Sequence, residues 1–250
     1  MSGHSKWSTI KRKKGVADAQ RGKIFTRIAR DISQAAREGG SDENSNAKLK
    51  LAILKAKQSN MPKENIERAI LRGTGKLDGA EMEEVTYEGY GVEGVAFLID
   101  TLSDNKNRTL AEIKRVFNKA GGALASAGSV AWQFEQKGYI ELAGDNLDFD
   151  TVFMTAAEAG AEDVVDDEGA ISVYTPREAL SLVEEALTAA GYTVENSELR
   201  WIAKNESEVS PDKAVANMRI MSNLEELDDV QAVASNLMIT DAALEAFETA

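Results

Sequence analysis

The segment AEDVVDDEGAISVYTPREALSLVEEALTAAG, residues 161–191, changes its hydrophobic period halfway along. Its first half predicts two strands, and its second half predicts a helix that ends at Gly191. Outward from this segment, a helix is predicted within residues 148–161, and strands are predicted within residues 138–142 and 192–204. The resulting order is β-α-β-β-α-β, which is the order of a ferredoxin-like unit.

The segments on either side of this unit supply the parts of a second α+β domain. Before it, strands are predicted in VTYEGYG, VAFLIDTL and GSVAWQF, with a helix in TLAEIKRVFNKAGG. After it come one helix, in SPDKAVANMRIMSNLEELDDV, and one short strand, in QAVASNLMI. We therefore predict that residues 81–134 and 206–250 form one discontinuous domain, and that residues 135–205 form an inserted ferredoxin-like domain.

Residues 1–80 predict a basic arm followed by a small helical domain. A first helix over residues 18–40 would place apolar side chains on one face, namely Ile24, Phe25, Ile28, Ile32, Ala35 and Ala36. The opposite face would carry four cations, namely Lys23, Arg27, Arg30 and Arg37. Two further helices are predicted in SDENSNAKLKLAILKAKQSN and MPKENIERAILRGTG. The fold class is thus α+β, with an N-terminal helical domain and two α+β domains.

Charge divides the chain into two parts. The net charge of the whole chain is −13. Residues 1–80 carry 18 basic and 8 acidic side chains, whereas residues 81–250 carry 11 basic and 34 acidic side chains. The first part is therefore at +10 and the second at −23. This asymmetry predicts a polyanionic partner for the basic part, such as a nucleic acid.

The arm combines cations with an aromatic ring, in KWSTIKRKK. Lysine and arginine pair with phosphate, and an indole can stack on a base. We predict a nucleic-acid contact through the arm and the first helix, made by Lys6, Trp7, Lys11, Arg12, Lys13, Lys14, Arg21, Lys23, Arg27, Arg30 and Arg37. For Trp7 the alternative to base stacking is an anchor that holds the arm on the helical domain.

A few polar residues outside this group have open interpretations. Lys106 and Arg108, in SDNKNRT, provide either a secondary nucleic-acid contact or an ordinary turn, and His4 either binds the same partner or has no role. Asp228 and Asp229 stand between a predicted helix and a predicted strand. They could cap the helix, bind a basic partner or shape a turn.

Two glycine-rich segments do not predict phosphate-binding loops. GYGVEG, residues 89–94, is followed by a strand and not by a helix, so it predicts a hairpin turn. RGTGKLDG has Ile70 where a P-loop needs its first glycine, and Leu77 where it needs serine or threonine.

Composition excludes several kinds of chemistry. The chain has no cysteine and a single histidine, so disulfides, thiolate nucleophiles, cysteine metal sites and clusters of histidines are excluded. We predict no enzyme, no cofactor, no metal and no small-molecule substrate. No apolar run approaches the roughly 18 residues of a membrane span, and no apolar signal-peptide core is present, which predicts a cytoplasmic protein without a membrane partner.

The sequence resembles the YebC/PmpR family. The resemblance rests on GHSKW at residues 3–7, then on RGKIFTRIARDI, AAREGG, NMPKENIERAI, YEGYG, NRT, GSVAW and DDVQ, and so spans the whole chain. It implies a helical domain followed by two α+β domains, the third inserted in the second, and no catalytic residue. It also implies either DNA-binding transcriptional regulation or translational activation, in bacteria or in mitochondria for cytochrome oxidase synthesis. Val92-Glu93 and Ala120 depart from the family's usual residues.

These observations predict a non-enzymatic regulator that binds RNA or the ribosome as a translation factor. The predicted second helix scatters its lysines around its circumference, which does not suit a recognition helix for duplex DNA. The alternative is a transcriptional regulator that binds promoter DNA through the same surface. Two other classes remain open, namely an enzyme whose carboxylates bind a divalent metal and a module whose acidic domains bind basic ribosomal proteins.

Overall fold

The computed structural model describes Trp7 and residues 18–77, 82–144, 147–167 and 170–249. Its first part is a domain of three helices, α1 (Asp18–Gly39), α2 (Ala47–Gln58) and α3 (Lys63–Gly73). Asn46 caps α2, since its side chain accepts a hydrogen bond from the amide of Leu49 at 3.1 Å. The core of this helical domain is apolar and is formed mainly by Ile28, Ile32, Leu49, Ile53, Ile66 and Ala69.

The close approach of α1 and α3 depends on a glycine. A Cβ atom added to Gly73 would lie 2.2 Å from the backbone oxygen of Ser33 and 2.9 Å from Cβ of Ala36. The hydroxyl of Ser33 donates to the backbone oxygen of Ala69 at 2.8 Å, which joins the same two helices. Only glycine therefore allows α3 to end against α1 at this distance.

A first antiparallel sheet has the strand order β3-β1-β2-β8. Its elements are β1 (Glu83–Tyr90), β2 (Ala96–Ser103), α4 (Lys106–Ala120), β3 (Ala123–Ala125), α7 (Pro211–Glu225), β8 (Val230–Ser235) and α8 (Asp241–Glu248). GYGVEG forms the turn between β1 and β2, which confirms the predicted hairpin. The buried amide of Asn217 holds this turn, because it accepts from the amide of Val92 at 2.9 Å and donates to its carbonyl at 3.0 Å.

A second antiparallel sheet has the order β5-β6-β4-β7. Its elements are β4 (Phe134–Ala143), α5 (Phe149–Glu158), β5 (Asp163–Asp167), β6 (Ala170–Pro176), α6 (Leu180–Ala189) and β7 (Thr193–Ala203). Sequence order and strand order together are those of the predicted ferredoxin-like unit. These elements lie in the chain between β3 and α7, so the second sheet is inserted in the first, and the predicted α+β fold class is confirmed. The boundaries at residues 134 and 205 remain a prediction.

One secondary-structure prediction was wrong, and two elements, β3 and α8, were not predicted. The segment GSVAWQF is not a strand, because its residues form a turn and the short 3-10 helix Ala131–Gln133 before β4 begins at Phe134. The carboxylate of Glu88 causes this turn by accepting three backbone hydrogen bonds, from Gly128, Val130 and Ala131 at 2.6, 2.6 and 2.9 Å. Helix α8 was missed, although Thr240 caps it through a hydrogen bond from the amide of Ala243.

Candidate nucleic-acid interface

Much of the predicted arm lies outside the described residues. This applies to His4, Lys6, Lys11, Arg12, Lys13 and Lys14. Arg21 belongs to α1, but its side chain is also outside the description. The contact predicted for these cations therefore stays a prediction.

Trp7 is the described residue of the arm, and it is buried. Its side chain is 4% exposed and lies in the core of the first sheet, among residues such as Phe97, Met218 and Leu224. Phe247 meets the indole edge-on with 5.9 Å between ring centroids, and the indole N–H lies 3.2 and 3.3 Å from the two carboxylate oxygens of Glu225. The structure thus places Trp7 as an anchor, but on the first sheet domain instead of the predicted helical domain. Burial of this indole costs little free energy, because its N–H group is hydrogen-bonded and the rest of the ring system is apolar.

Three of the four cations predicted on one face of α1 point toward the chain's own α7–β8 turn, residues 225–229. Lys23 Nζ donates to the backbone oxygen of Glu226 at 3.2 Å. Arg27 Nη2 donates to the backbone oxygens of Glu225 and of Leu227, the latter at 3.1 Å. The last carbonyls of a helix have no partner within it and carry the negative end of its dipole, so cations suit them.

Burial lowers the pKa of Arg27, although the carboxylates of Glu225, Asp228 and Asp31 oppose this shift. The guanidinium of Arg27 is therefore partly withdrawn from solvent. Lys23 and Arg27 were predicted to contact nucleic acid, and in this structure both hold the helical domain against the first sheet domain.

Asp229 is the centre of this interdomain contact. It is 1% exposed, and its Oδ1 accepts a hydrogen bond from Arg30 Nη1 at 2.9 Å. Its Oδ2 accepts from Arg108 Nη2 at 2.7 Å and from the hydroxyls of Ser103 and Thr109 at 2.9 and 2.7 Å. Burial alone would raise the pKa of Asp229, but the hydrogen bonds from Arg108, Thr109 and Ser103 and the charge of Arg30 hold it below its usual value.

The two cations predicted as a secondary contact are paired within the chain. Lys106 forms an ion pair with Glu83, and Arg108 bonds both Asp229 and Asp104, the latter at 2.9 Å. Both stand in the first turn of α4, which begins three residues before the predicted helix. The sequence left the role of Asp229 undecided, and the structure pairs its carboxylate with two arginines of the same chain.

A second ionic contact joins the helical domain to the inserted sheet. Lys55 Nζ of α2 lies 3.2 Å from Glu198 Oε2 of β7, and Arg200 Nε lies 2.6 Å from the other oxygen of Glu198. Burial would raise the pKa of Glu198, but Lys55 and Arg200 bring it far below its usual range. The guanidinium of Arg200 also lies 3.5 Å from the ring centroid of Tyr139.

The remaining predicted cation of α1, Arg37, lines a groove between α1 and α3. The groove has a volume of about 480 Å³ and is lined by Phe25, Thr26, Ala29, Arg30, Ser33, Gln34, Arg37, Met61, Asn65, Arg68, Ala69, Arg72, Met82 and Asp104. Four of these side chains are arginines. Arg68 and Arg72 were missed in the sequence, although their spacing of four residues in NIERAILRG places them on one face of a helix.

An exposed tryptophan was also missed. Trp132 is 66% exposed, and its indole N–H donates to the backbone oxygen of Ser129 at 3.0 Å. It stands in the turn that Glu88 organises. Burial would raise the pKa of Glu88, but the amides of Val130, Gly128 and Ala131 lower it below its usual value.

Among the residues that the structure describes, aspartate and glutamate side chains form no group of three or more that could hold a metal ion. In the same part of the chain, every helix is too short or too polar to span a membrane.

Two family models match the sequence. The model described as the TACO1/YebC protein N-terminal domain matches residues 5–76, and the model described as the TACO1/YebC second and third domain matches residues 82–237. Between them they cover the helical domain and both sheets.

Relatives and a solved structure extend this likeness over the whole chain. A probable transcriptional regulatory protein of Acidithiobacillus ferrooxidans is 53% identical over 248 residues, which cover 99% of each chain. A protein of the same description from Trichlorobacter lovleyi is 48% identical over 245 residues, covering 98% of this chain and 99% of that one. The crystal structure of a conserved hypothetical protein of Aquifex aeolicus matches with a TM-score of 0.85 and 42% identity, over 90% of this chain and 93% of that chain.

Proposed function

The chain belongs to the TACO1/YebC family, and we propose that it is a non-enzymatic regulator of gene expression that binds RNA and acts on the ribosome as a translation factor. The observation that carries this proposal is the separation of charge between the domains. The part before β1 has a net charge of +10 over residues 1–80, and the remainder has −23. A polyanion is attracted to the first part and repelled by the second, which orients the protein on it.

The distribution of exposed cations favours RNA over duplex DNA. A protein that reads a duplex usually inserts one projecting helix into the major groove, which is about 12 Å wide. Here α1 cannot play that part, because Lys23, Arg27 and Arg30 face the α7–β8 turn. Arg37, Arg68 and Arg72 of the helical domain line a concave groove, which suits an unpaired strand or folded RNA.

The alternative is a transcriptional regulator that binds promoter DNA. The descriptions of the relatives from Acidithiobacillus ferrooxidans and Trichlorobacter lovleyi favour this alternative. It would use the same basic surface, so both functions require the arm. In either case we propose that the protein works in the cytoplasm and that the acidic sheets face outward, where they suit basic ribosomal proteins.

Salt dependence tests the proposal directly. If about six phosphates of a labelled single-stranded RNA are contacted, the logarithm of the affinity falls against the logarithm of salt concentration with a slope of about −4. Changing Lys11, Arg12, Lys13 and Lys14 together to alanine should make the slope shallower by about 3, since each single-strand phosphate contributes about 0.7. Arg27 and Arg30 stay unchanged, because their loss would also break the contact with the α7–β8 turn.

A control variant removes exposed cations from α4, namely Lys114, Arg115 and Lys119, and should leave the slope as it is. The same titration is run with duplex DNA of equal length. An unchanged slope in the arm variant would contradict the proposed role of the arm. Tighter binding of the duplex than of the single strand would favour the transcriptional alternative.

A further inference from the structure

The groove between α1 and α3 combines an apolar floor with a cationic rim. Phe25, Met61 and Ala69 supply apolar surface, and the guanidinium groups of Arg30, Arg37, Arg68 and Arg72 supply the charge. Its volume of about 480 Å³ falls within the roughly 300–1,000 Å³ typical of small-ligand pockets. The lining therefore suits a ligand that has both an anionic group, for the arginines, and an apolar group, for the floor.

Two of the four arginines have no partner among the residues that the structure describes. Arg68 and Arg72 are exposed, and within the described ranges neither forms an ion pair or a side-chain hydrogen bond. Arg30, by contrast, is held by Asp229 at 2.9 Å. The one acidic side chain in the lining, Asp104, is paired with Arg108 at 2.9 Å, so it does not neutralise the rim.

We propose that this groove binds one or two nucleotides of single-stranded RNA. Arg68 and Arg72 bind the phosphate oxygens, because a guanidinium matches two oxygens of one phosphate with parallel hydrogen bonds. The base lies toward Phe25 and Met61, and the amide of Asn65 is in the lining to bond its polar edge. This inference rests on the proposed function and names the place on the helical domain where the RNA is held.

The shape of the groove selects an unpaired strand. A base inside a duplex is stacked and paired, so it cannot enter a pocket between two helices without being extruded. An unpaired strand can place its phosphate on the rim and its base on the apolar floor at little cost. The groove also shares Arg30 with the interdomain contact, which fixes one wall of the groove relative to Asp229.

The experiment measures fluorescence anisotropy with a labelled oligoribonucleotide of about 12 nucleotides. In the full chain, Arg68→Ala with Arg72→Ala should lower the affinity by about 30-fold at 0.1 M salt, and the salt slope should become shallower by about 1.4. The matched control is Arg115→Ala with Lys119→Ala, which removes two exposed cations at the same spacing from α4. Its affinity should change by less than about threefold, since these charges are only screened surface charges.

A second pair of changes separates geometry from charge. Arg68→Lys with Arg72→Lys keeps both charges and loses the planar fork, so we expect a partial loss of affinity with an unchanged salt slope. If the alanine variant binds RNA as tightly as the unmodified protein, the groove proposal is wrong while the proposed function stands. If the unmodified protein itself does not bind RNA, the proposed function fails and the groove proposal fails with it. An equal loss of RNA affinity in the α4 control would show a general effect of charge and would also contradict the proposal that the groove is the binding site.

Discussion

Replacing Asp229 by asparagine should lower the free energy of unfolding by about 3 kcal/mol. The carboxylate is 1% exposed and bonds two arginines and two hydroxyls. An amide of the same shape cannot neutralise Arg30 and Arg108, and it directs an N–H group toward donors. Equilibrium unfolding in urea measures the change.

Asp228 provides the matched control for this prediction. It is adjacent in the chain and carries the same charge, but its side chain is exposed. Asp228→Asn should therefore change the free energy of unfolding by less than about 0.5 kcal/mol. Equal stability of the two variants would contradict the assignment of Asp229 as the centre of the interdomain contact.

The same carboxylate predicts how stability depends on pH. Its pKa is lowered on folding, so its contribution to stability is fully present above the ordinary aspartate pKa of about 3.9. The contribution is lost as the pH falls through the lower pKa of the folded state. In unfolding curves recorded between about pH 7 and pH 3, the difference in stability between the unmodified protein and the Asp229→Asn variant should therefore be constant at neutral pH and become smaller below about pH 4.

Replacing Trp7 by alanine should destabilise the first sheet domain by about 3 to 5 kcal/mol. The change removes an indole that is 4% exposed, its edge-on contact with Phe247 and its hydrogen bond to Glu225. Loss of near-ultraviolet circular dichroism in a thermal scan measures the destabilisation.

The control is Trp7→Phe, which keeps an aromatic ring against Phe247 and loses the N–H donor and part of the buried ring volume. We expect about 1 to 2 kcal/mol of destabilisation for this variant. Its affinity for single-stranded RNA should equal that of the unmodified protein, because the ring is packed inside the protein. A Trp7→Ala variant with full stability and weakened RNA binding would restore the base-stacking interpretation instead.

Local patterns were sufficient to predict the fold class and the order of elements in the inserted sheet. The order of elements in the inserted sheet followed from hydrophobic periods and from helix ends such as Gly191, because those signals lie within a few residues of each other. The turn at residues 128–133 was not predictable in this way. The residues of this turn have a sequence typical of a strand, but hydrogen bonds to the carboxylate of Glu88 hold them in a turn. Glu88 is 40 residues away in the chain from Gly128, so a local pattern does not include it.

The site was harder to predict because its partners are distant in sequence. The amphipathic pattern of α1 located Arg27 and Arg30, but their partners in the α7–β8 turn lie about 200 residues further on. A cation that faces away from its own domain's core has the same sequence pattern whether it meets solvent, nucleic acid or another domain. The spacing of Arg68 and Arg72 shows that they share a helix face. The groove that they line could not be predicted from this spacing, because it depends on how α1 packs against α3.

The most direct test of the RNA-binding proposal is ultraviolet crosslinking in cells, followed by recovery of the full-length protein and sequencing of the attached nucleic acid. It requires no assumption about the partner. We expect RNA enriched at one ribosomal site, with the signal reduced when Lys11 to Lys14 are changed to alanine and unchanged when the α4 cations are removed. Enrichment of promoter DNA without ribosomal RNA would contradict the account.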